Sequence, residues 1–309
     1  MQLLVTGGAG FIGSNLCRAA LARGHGVRVL DDLSTGRRSN LAGLGVDMVE
    51  ASILDYQSVL KAMVGIDAVV HLAAIPSVPR SVANPRASHD ANTTGTLNVL
   101  EAARNCVVQH LAVASSSSVY GANPKLPKSE LDYTRPMSPY AVSKQATESY
   151  ALAYQFSYGL PTLAFRFFNV YGPGQLADHD YAAVIPRFLD AALHGRPVTV
   201  HGDGTQSRDF TFVETVCSVL LQAAERHLTS SEPVNLAFQT NTSLLHLLDL
   251  LERALGFPVA REFAERRVGD VMASQADCSR VSAMFRDVVP VSLEDGLRST
   301  IDWMKGFER

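Results

Sequence analysis

Short apolar runs alternate with amphipathic stretches through the first half of the chain. Each run has the length of a buried strand, and helical periodicity separates most of them. The runs lie at 3–6, 27–30, 46–50, 67–73, 110–114 and 162–168, and the helical patterns at 14–23, 56–63, 87–104 and 139–157. Because parallel strands need crossover connections, the alternation predicts an α/β fold with a doubly wound parallel sheet.

The pattern becomes less regular and richer in turns past residue 172. Thr242 or Ser243 is expected to cap a helix that ends at Leu255. The apolar run at 234–237 predicts a strand that returns to the large sheet. We therefore predict a large domain formed by 1–170 and 207–238, and a smaller α/β lobe formed by 171–206 and 239–309.

Composition and charge exclude several classes of protein. The net charge of -3 over 309 residues gives no reason to expect nucleic-acid binding. The chain begins with no basic leader and no apolar run reaches membrane-spanning length, so a cytoplasmic location without membrane contact is expected. The four cysteines lack C-x-x-C spacing and the nine histidines form no compact cluster. Neither disulfides nor a metal site is therefore predicted.

A glycine turn follows the first apolar run. The segment GGAGFIG (7–13) lies between a predicted strand and a predicted helix. In this context glycines let the backbone approach a pyrophosphate, which rests on the N–H groups at the helix start. The second run ends at Asp31, where a carboxylate accepts hydrogen bonds from ribose hydroxyls and repels a 2′-phosphate. These features predict a Rossmann-like domain that binds NAD rather than NADP.

A helix with a tyrosine and a lysine on one face begins near 138. Ser138 is a predicted N-cap and Pro139 the first helical residue. Tyr140 and Lys144 then share a face, where the ammonium favours the phenolate. Lowering a tyrosine pKa from ~10 to near 7 takes about 4 kcal/mol, so a second cation is expected nearby. With the serine run 115–118 at the end of another predicted strand, the pair predicts a general base beside a hydrogen-bonding hydroxyl.

The motifs, taken in order, resemble the extended short-chain dehydrogenase/reductase family in its nucleotide-sugar epimerase and dehydratase branch. The resemblance covers nearly the whole chain and is strongest to UDP-N-acetylglucosamine and UDP-glucose 4-epimerases. It implies NAD as the cofactor and a UDP-sugar as the substrate. It is carried by TGGAGFIGSNL, LDDLSTG, HLAA, the serine run before VYG, SPYAVSK, RFFNVYGPGQ, GDGTQSRDF and RRVGDV.

The resemblance assigns roles to individual residues. It implies that Tyr140 is the catalytic base, that Lys144 holds the nicotinamide ribose and that Ser116 bonds the reacting sugar hydroxyl, while the oxidised nicotinamide supplies the second cation. Two arginines are expected on the nucleotide diphosphate, Arg208 and Arg267. The implied cofactor contacts are Gly7, Gly10, Phe11, Ile12, Gly13, Asp31, Asp32, Ser34, Thr35, Gly36, Ser52, Ile53, Leu72, Ala73, Ala74, Asn92, Ser115, Tyr140, Lys144 and Phe168. The implied substrate contacts are Ser77, Arg80, Ser116, Ser117, Tyr140, Asn169, Val184, Arg208, Arg267, Asp270 and Ser274.

Departures from the family pattern narrow the expected reaction. Ser117 and Ser118 stand where 4,6-dehydratases have an Asp-Glu pair, and a serine without a partnering base is a poor general acid or base near neutral pH. Decarboxylases of nucleotide uronates usually have Glu at the second of these positions. Uronate epimerases tend to have Thr where this chain has Asn169, and an Arg near Gln175. Ser52 replaces the usual acidic contact to the adenine amine, which weakens that contact. The remaining reaction is 4-epimerisation of an uncharged sugar.

Two stretches of sequence and one single position indicate which sugar the substrate carries. YAAVIPRF (181–188) and SVPRS (77–81) resemble segments of epimerases that act on UDP-N-acetylhexosamines. Ser274 occupies a size-gate position, where a small side chain leaves room for an N-acetyl group; a small loop residue without that role is the alternative. The expected substrates are the C4 epimers UDP-N-acetylglucosamine and UDP-N-acetylgalactosamine, or UDP-glucose and UDP-galactose. UDP-glucuronate 4-epimerisation or another reaction through a 4-keto sugar is the alternative.

Two other interpretations remain open. A sensor or scaffold that binds NAD without catalysis is disfavoured by the intact Ser116, Tyr140 and Lys144. A ketoreductase that releases its cofactor in each turnover would require added NADPH. Members of the family commonly form homodimers through helices like 87–104 and 139–157, so a homodimer is expected.

Overall fold

A parallel sheet of seven strands forms the larger part of the protein. The computed structural model describes residues 1–177, 182–265 and 272–307. The first six strands are β1 Gln2–Thr6, β2 Gly26–Asp31, β3 Asp47–Glu50, β4 Ala68–His71, β5 His110–Ser116 and β6 Thr162–Phe167. The shorter strands are β7 Asn169–Tyr171, β8 Val198–His201, β9 Ser207–Arg208, β10 Phe210–Phe212, β11 Val234–Leu236, β12 Thr242–Ser243 and β13 Arg261–Ala264.

The order of strands in this sheet is β3-β2-β1-β4-β5-β6-β11. All its pairs are parallel, and Thr6 at the end of β1 lies beside Leu30 of β2 and His71 of β4. The strand order reverses direction between β1 and β4. Ligands of open α/β sheets bind in the crevice outside the carboxyl ends of the strands at such a reversal. The topology therefore confirms the predicted doubly wound sheet and places the site at this edge.

Helices cover both faces of the sheet. Alternate side chains of β1 enter two separate cores, with Leu3 and Val5 in one and Leu4 in the other. The first core includes side chains of the helices at 11–22 and 213–225, and the second includes side chains of the helices at 56–63, 95–105 and 139–158. The helices are α1 Phe11–Ala22, α2 Tyr56–Met63, α3 Val78–Ala83, α4 Pro85–His89, α5 Gly95–Asn105, α6 Pro139–Tyr158, α7 Val184–Leu193, α8 Val213–Glu225, α9 Leu244–Leu255, α10 Ser279–Met284 and α11 Leu293–Phe307.

The helix predicted over 87–104 is confirmed, but it is not a regular α-helix throughout. The segment is divided into α4, a π-helical turn at 90–94 and α5. At the turn, the carbonyl oxygen of Asn92 accepts hydrogen bonds from the hydroxyls of Thr96 at 2.6 Å and Thr147 at 2.9 Å. Side chains that insert into the backbone ladder in this way widen a helix locally.

The predicted strand 162–168 also ends early. β6 stops at Phe167, and the following residues form β7, which pairs in parallel with β10 outside the large sheet. The described part of the second half adds two further pairs, β9 with β12 and β8 with β13. The helix predicted from 242–243 to Leu255 is confirmed as α9, capped by Ser243. No helix in the described ranges has the length and apolar character needed to cross a membrane.

Candidate active site

The glycine turn after β1 has no room for a Cβ atom at Gly7 or Gly13. Gly7 has a φ of 72°, and a Cβ there would lie 2.7 Å from the backbone nitrogen of Ala73. A Cβ on Gly13 would lie 2.2 Å from the carbonyl oxygen of Gly7. α1 begins at Phe11 and has no side-chain cap at Gly10, so the N–H groups of its first turn can bind an anion. The turn fits the pyrophosphate of a dinucleotide, and Ile12 lies within that first turn.

Asp31 at the end of β2 is bonded to this turn. Its Oδ2 accepts a hydrogen bond from the N–H of Ala9 at 2.8 Å, and its Oδ1 accepts one from the N–H of Leu33 at 2.9 Å. Burial raises the pKa of this carboxyl, and the two backbone bonds oppose the rise. Each carboxylate oxygen keeps a second lone pair for a ribose hydroxyl. The position of Asp31 fits the predicted contact with a ribose. The same carboxylate also stabilises the glycine turn through its bond to Ala9.

The residues predicted at the adenosine end lie on two loops. Asp32 accepts hydrogen bonds from the N–H of Ser34 at 3.0 Å and from its hydroxyl at 2.5 Å. Thr35 is exposed, and Gly36 packs so closely on the glycine turn that a Cβ would lie 2.8 Å from its backbone. Ser52 uses its hydroxyl to accept a bond from the N–H two residues later, at 3.3 Å. The two loops shape an open end of the crevice.

Apolar and small side chains form the middle of the predicted cofactor wall. Ile53 is buried and packs against Gly95, where a Cβ would lie 2.4 Å from its Cδ1. Phe168 is buried beside the Tyr120 ring, with ring centroids 6.4 Å apart. Three half-buried residues follow β4 directly along the crevice: Leu72, Ala73 and Ala74.

β5 and α6 bring the predicted catalytic residues together. Ser116 is the last residue of β5, and its hydroxyl acts on Tyr140, in the first turn of α6, to lower the pKa of the phenol. Lys144, one turn later, is buried and donates from Nζ to the carbonyl oxygen of Ala114 at 2.7 Å. Ser117 follows in a half-buried 3₁₀ turn that ends at Tyr120. The three predicted catalytic groups therefore share one pocket.

Burial opposes ionisation of both Tyr140 and Lys144 in the chain alone. It raises the pKa of Tyr140, and the hydrogen bond with Ser116 offsets part of the rise. It lowers the pKa of Lys144 to about 8, so the ammonium is still the main form near neutral pH. The expected lowering of the Tyr140 pKa by Lys144 is therefore absent, because desolvation is the larger effect. Ionisation of Tyr140 depends on a further positive charge.

A buried polar network beneath the pocket was not identified from the sequence. Thr6 Oγ1 lies 2.7 Å from His71 Nδ1, and His71 Nε2 lies 3.0 Å from Thr96 Oγ1. Burial, with a smaller contribution from Lys144, lowers the pKa of His71 to about 3. A neutral imidazole thus joins the end of β1 to α5. The HLAA motif contains this histidine, but its position on a buried strand gave no signal for the network.

Asn92 extends this network to α6. Its Nδ2 donates to Ser143 Oγ at 2.9 Å and to the carbonyl oxygen of Ile75 at 3.1 Å, and its Oδ1 accepts from the N–H of Ile75 at 2.7 Å. Ser143 in turn donates to the carbonyl oxygen of Tyr140 at 2.8 Å. Both amide hydrogens of Asn92 are used within the protein. Its side chain can therefore meet a cofactor only as an acceptor.

Ser115, predicted as a cofactor contact, uses its side chain for hydrogen bonds within the protein. Its hydroxyl donates to Glu148 Oε2 at 2.8 Å, and Arg166 binds the same carboxylate through Nε at 3.0 Å and Nη2 at 2.7 Å. All three side chains are buried. Successive residues of a strand face opposite sides, so Ser115 belongs to this ion pair while Ser116 faces Tyr140. The strand period could have distinguished them.

The predicted substrate contacts lie on several short elements. Asn169 donates from Nδ2 to the carbonyl oxygen of Asp209 at 3.2 Å, and the N–H of Ser274 donates to the carbonyl oxygen of Ser207 at 3.1 Å. Arg208 is on β9, between these two acceptors in sequence. Ser77 caps α3, which contains Arg80, and Val184 begins α7. Arg267 and Asp270 lie outside the described residues. Within the described ranges no three potential metal ligands lie close enough to hold an ion.

Comparison with known proteins places this site among nucleotide-sugar enzymes. Residues 3–237 match the model of the NAD dependent epimerase/dehydratase family. The chain is 37% identical to UDP-glucose 4-epimerase of Mycolicibacterium smegmatis, over 99% of both chains. It is similar to the structure of UDP-N-acetylglucosamine 4-epimerase from Methanobrevibacter ruminantium in complex with UDP-N-acetylmuramic acid, with a TM-score of 0.94 and 33% identity over 99% of this chain and 98% of that one. It is also similar to UDP-glucuronic acid 4-epimerase from Bacillus cereus in complex with UDP-glucuronic acid and NAD, with a TM-score of 0.87 and 31% identity over 99% and 100% of the chains.

Proposed function

The chain belongs to the NAD dependent epimerase/dehydratase family, and from this premise we propose that it is a 4-epimerase of an uncharged UDP-hexose. Its cofactor is NAD. The observation that carries the proposal is the grouping of Ser116, Tyr140 and Lys144 at the carboxyl edge of the sheet. The glycine turn and Asp31 border the same crevice.

The mechanism follows from what these side chains can do. Tyr140, once ionised, accepts the proton of the sugar 4-hydroxyl, and Ser116 keeps that oxygen in line by hydrogen bonding. Lys144 keeps a positive charge within the pocket and holds the nicotinamide ribose. NAD, when bound along the glycine turn and Asp31, would supply the hydride acceptor and donor for sugar C4. Tyr140 then gives its proton back to the 4-oxygen, so no proton is consumed overall.

Neutral side chains support an uncharged sugar. Asn169 and Gln175 stand where uronate epimerases tend to have the Thr and the Arg of their carboxylate site. The side chain of Gln175 donates a hydrogen bond to the carbonyl oxygen of Val170 at 3.3 Å. Ser274 is small and its backbone is held beside β9, which leaves space for an N-acetyl group. The proposed substrates are therefore UDP-N-acetylglucosamine with its C4 epimer, or UDP-glucose with its C4 epimer.

We further propose that two copies of the chain pair through α6. One face of this helix has exposed apolar side chains, with 56% of Val142, 37% of Tyr150 and 94% of Phe156 accessible. A face of this kind on a soluble helix favours association. The mass of the protein in solution, measured by light scattering, tests the pairing: a mass equal to one chain contradicts it.

The experiment that tests the activity is incubation of the purified protein with UDP-N-acetylglucosamine, UDP-glucose and UDP-glucuronate in separate reactions without added NAD. Chromatography of the products should show the C4 epimer of one or both uncharged sugars and little from the uronate. Rapid turnover of UDP-glucuronate alone would contradict the proposed substrate class. A requirement for added NADPH, with a reduced product, would indicate a ketoreductase instead.

A further inference from the structure

Asp209 is a fully buried carboxylate at the junction of several predicted substrate contacts. Its side chain has 0% exposure, so it cannot touch a bound substrate. It follows Arg208 and lies between β9 and β10. Burial raises the pKa of this carboxyl, whereas its backbone hydrogen bonds oppose the rise. A buried carboxylate is costly to maintain, and the mechanism above makes no use of it.

The two oxygens of Asp209 hold two separate loops. Oδ1 accepts a hydrogen bond from the N–H of Thr240 at 3.2 Å. The single hydroxyl hydrogen of Thr240 is shared between Oδ1 at 3.3 Å and the carbonyl oxygen of Phe210 at 3.0 Å. Oδ2 accepts one from the N–H of Ala276 at 3.3 Å. The hydroxyl oxygen of Thr240 also accepts a hydrogen bond from the N–H of Phe210 at 2.6 Å. One side chain thus links β10 to the loop before β12 and to the segment 272–277.

The same junction sets the places of the predicted substrate contacts. The carbonyl oxygen of Asp209 accepts both the N–H of Asn169 at 3.1 Å and its side-chain Nδ2 at 3.2 Å. Ser274 lies two residues before Ala276, on the segment that Oδ2 binds, and its N–H donates to Ser207. Arg208 is covalently adjacent and pairs with Thr242 of β12. Arg208 and Ser274 therefore lie on segments joined by the side chain of Asp209, and Asn169 is held by the main-chain carbonyl of the same residue.

We propose that Asp209 is a positioning residue for the UDP-sugar, a proposal that rests on the proposed function. It fixes three segments around the nucleotide diphosphate and the sugar without contacting either. Its oxygens face N–H donors from both sides, so an amide in its place must turn its own N–H groups toward one of them in either orientation. Asp209→Asn should therefore release one loop and weaken UDP binding while NAD binding, at the opposite end of the crevice, is retained.

The test is calorimetric titration with UDP alone, combined with the amount of NAD retained per chain. We expect Asp209→Asn to raise the Kd for UDP about tenfold or more. One buried N–H group without an acceptor is expected to weaken binding by roughly tenfold. The KM for the sugar substrate should rise with it, while kcat changes less than about threefold. Unchanged UDP affinity in a folded variant with full NAD content would overturn the proposal. Failure of the wild-type protein to bind UDP would instead overturn the proposed function.

A matched pair of variants decides the matter if Asp209→Asn does not fold. Thr240→Val removes the hydroxyl that lies between Asp209 Oδ1 and the backbone of Phe210. Thr162→Val removes a buried hydroxyl of β6 that donates to the carbonyl oxygen of Ala151 in α6 at 2.9 Å, away from the predicted substrate contacts. Both lose the hydrogen bonds of a threonine hydroxyl, but only Thr240→Val should weaken UDP binding, by about threefold or more. Equal UDP affinity in the two variants would overturn the positioning role.

Discussion

At the scale of single residues, the pocket combines a phenol and an ammonium whose charged forms are both disfavoured by burial. Position in the sequence predicted their proximity, because residues four apart share a helix face. It did not predict that the pKa of Tyr140 is raised, since desolvation depends on all the residues that pack around the phenol. We therefore propose that a cation brought by the cofactor favours the phenolate of Tyr140, with the Lys144 ammonium as the positive charge that the chain itself supplies.

Replacing Tyr140 with Phe should remove the base without disturbing the fold. We expect turnover to fall by about 10²–10⁴, the usual contribution of general base catalysis. NAD retained per chain and the thermal midpoint should remain those of the wild type, as measured by cofactor release and circular dichroism. A folded variant with more than about a tenth of wild-type turnover would show that another group takes the proton.

The lowered pKa of Lys144 predicts how stability depends on pH in protein freed of NAD. Its folded-state pKa of about 8 lies below the ordinary 10.5, so the unfolded chain binds more protons between these values. The free energy of unfolding contributed by Lys144 therefore rises with pH through this window. Lys144→Met removes the contribution and keeps much of the packing.

The matching measurement is urea denaturation of both proteins from pH 7 to pH 10. The wild type should gain about 2 kcal/mol relative to Lys144→Met between pH 8 and pH 10. Other titrating groups are common to both proteins and cancel in the difference. A difference that stays constant over this range would show that the lysine is not desolvated.

At the scale of elements, the period of apolar residues predicted the first six strands and the helices α1, α2, α6 and α9 well. It predicted the helix over 87–104 but not the π-helical turn within it, where two hydroxyls bond to the carbonyl oxygen of Asn92. It also missed α8, although nine positions of this helix are buried. Short strands such as β9 and β12 exist through pairing with distant segments, which local patterns do not encode.

The glycine turn offers a prediction with an internal control. Gly13→Ala should abolish NAD binding, because its Cβ would lie 2.2 Å from a backbone oxygen. Gly45→Ala places a methyl group where nothing lies within 4 Å, so NAD content should be unchanged and the free energy of unfolding altered by less than about 1 kcal/mol. The measurement is NAD per chain after gel filtration. Normal cofactor content in Gly13→Ala would contradict the tight turn.

At the scale of the whole molecule, the sequence motifs predicted the sheet, the cofactor and the branch of the family. Glycine turns, capped helices and strand ends depend on residues close together in the chain, so they can be recognised from the sequence. The division into a large domain and a smaller lobe stays a prediction. The Asp209 junction was not foreseen, because its partners at 169, 240 and 276 are far apart in the chain. Contacts of that range depend on the folded topology.

The central claim is that C4 of the sugar loses and regains the same hydrogen within one pocket. The most direct test uses UDP-N-acetylglucosamine and UDP-glucose that carry deuterium on C4, incubated in ordinary water without added NAD. We expect a C4 epimer that keeps its deuterium on C4, as shown by NMR of the separated product. An epimer with its C4 deuterium replaced from solvent, or no epimer from either sugar, would contradict it.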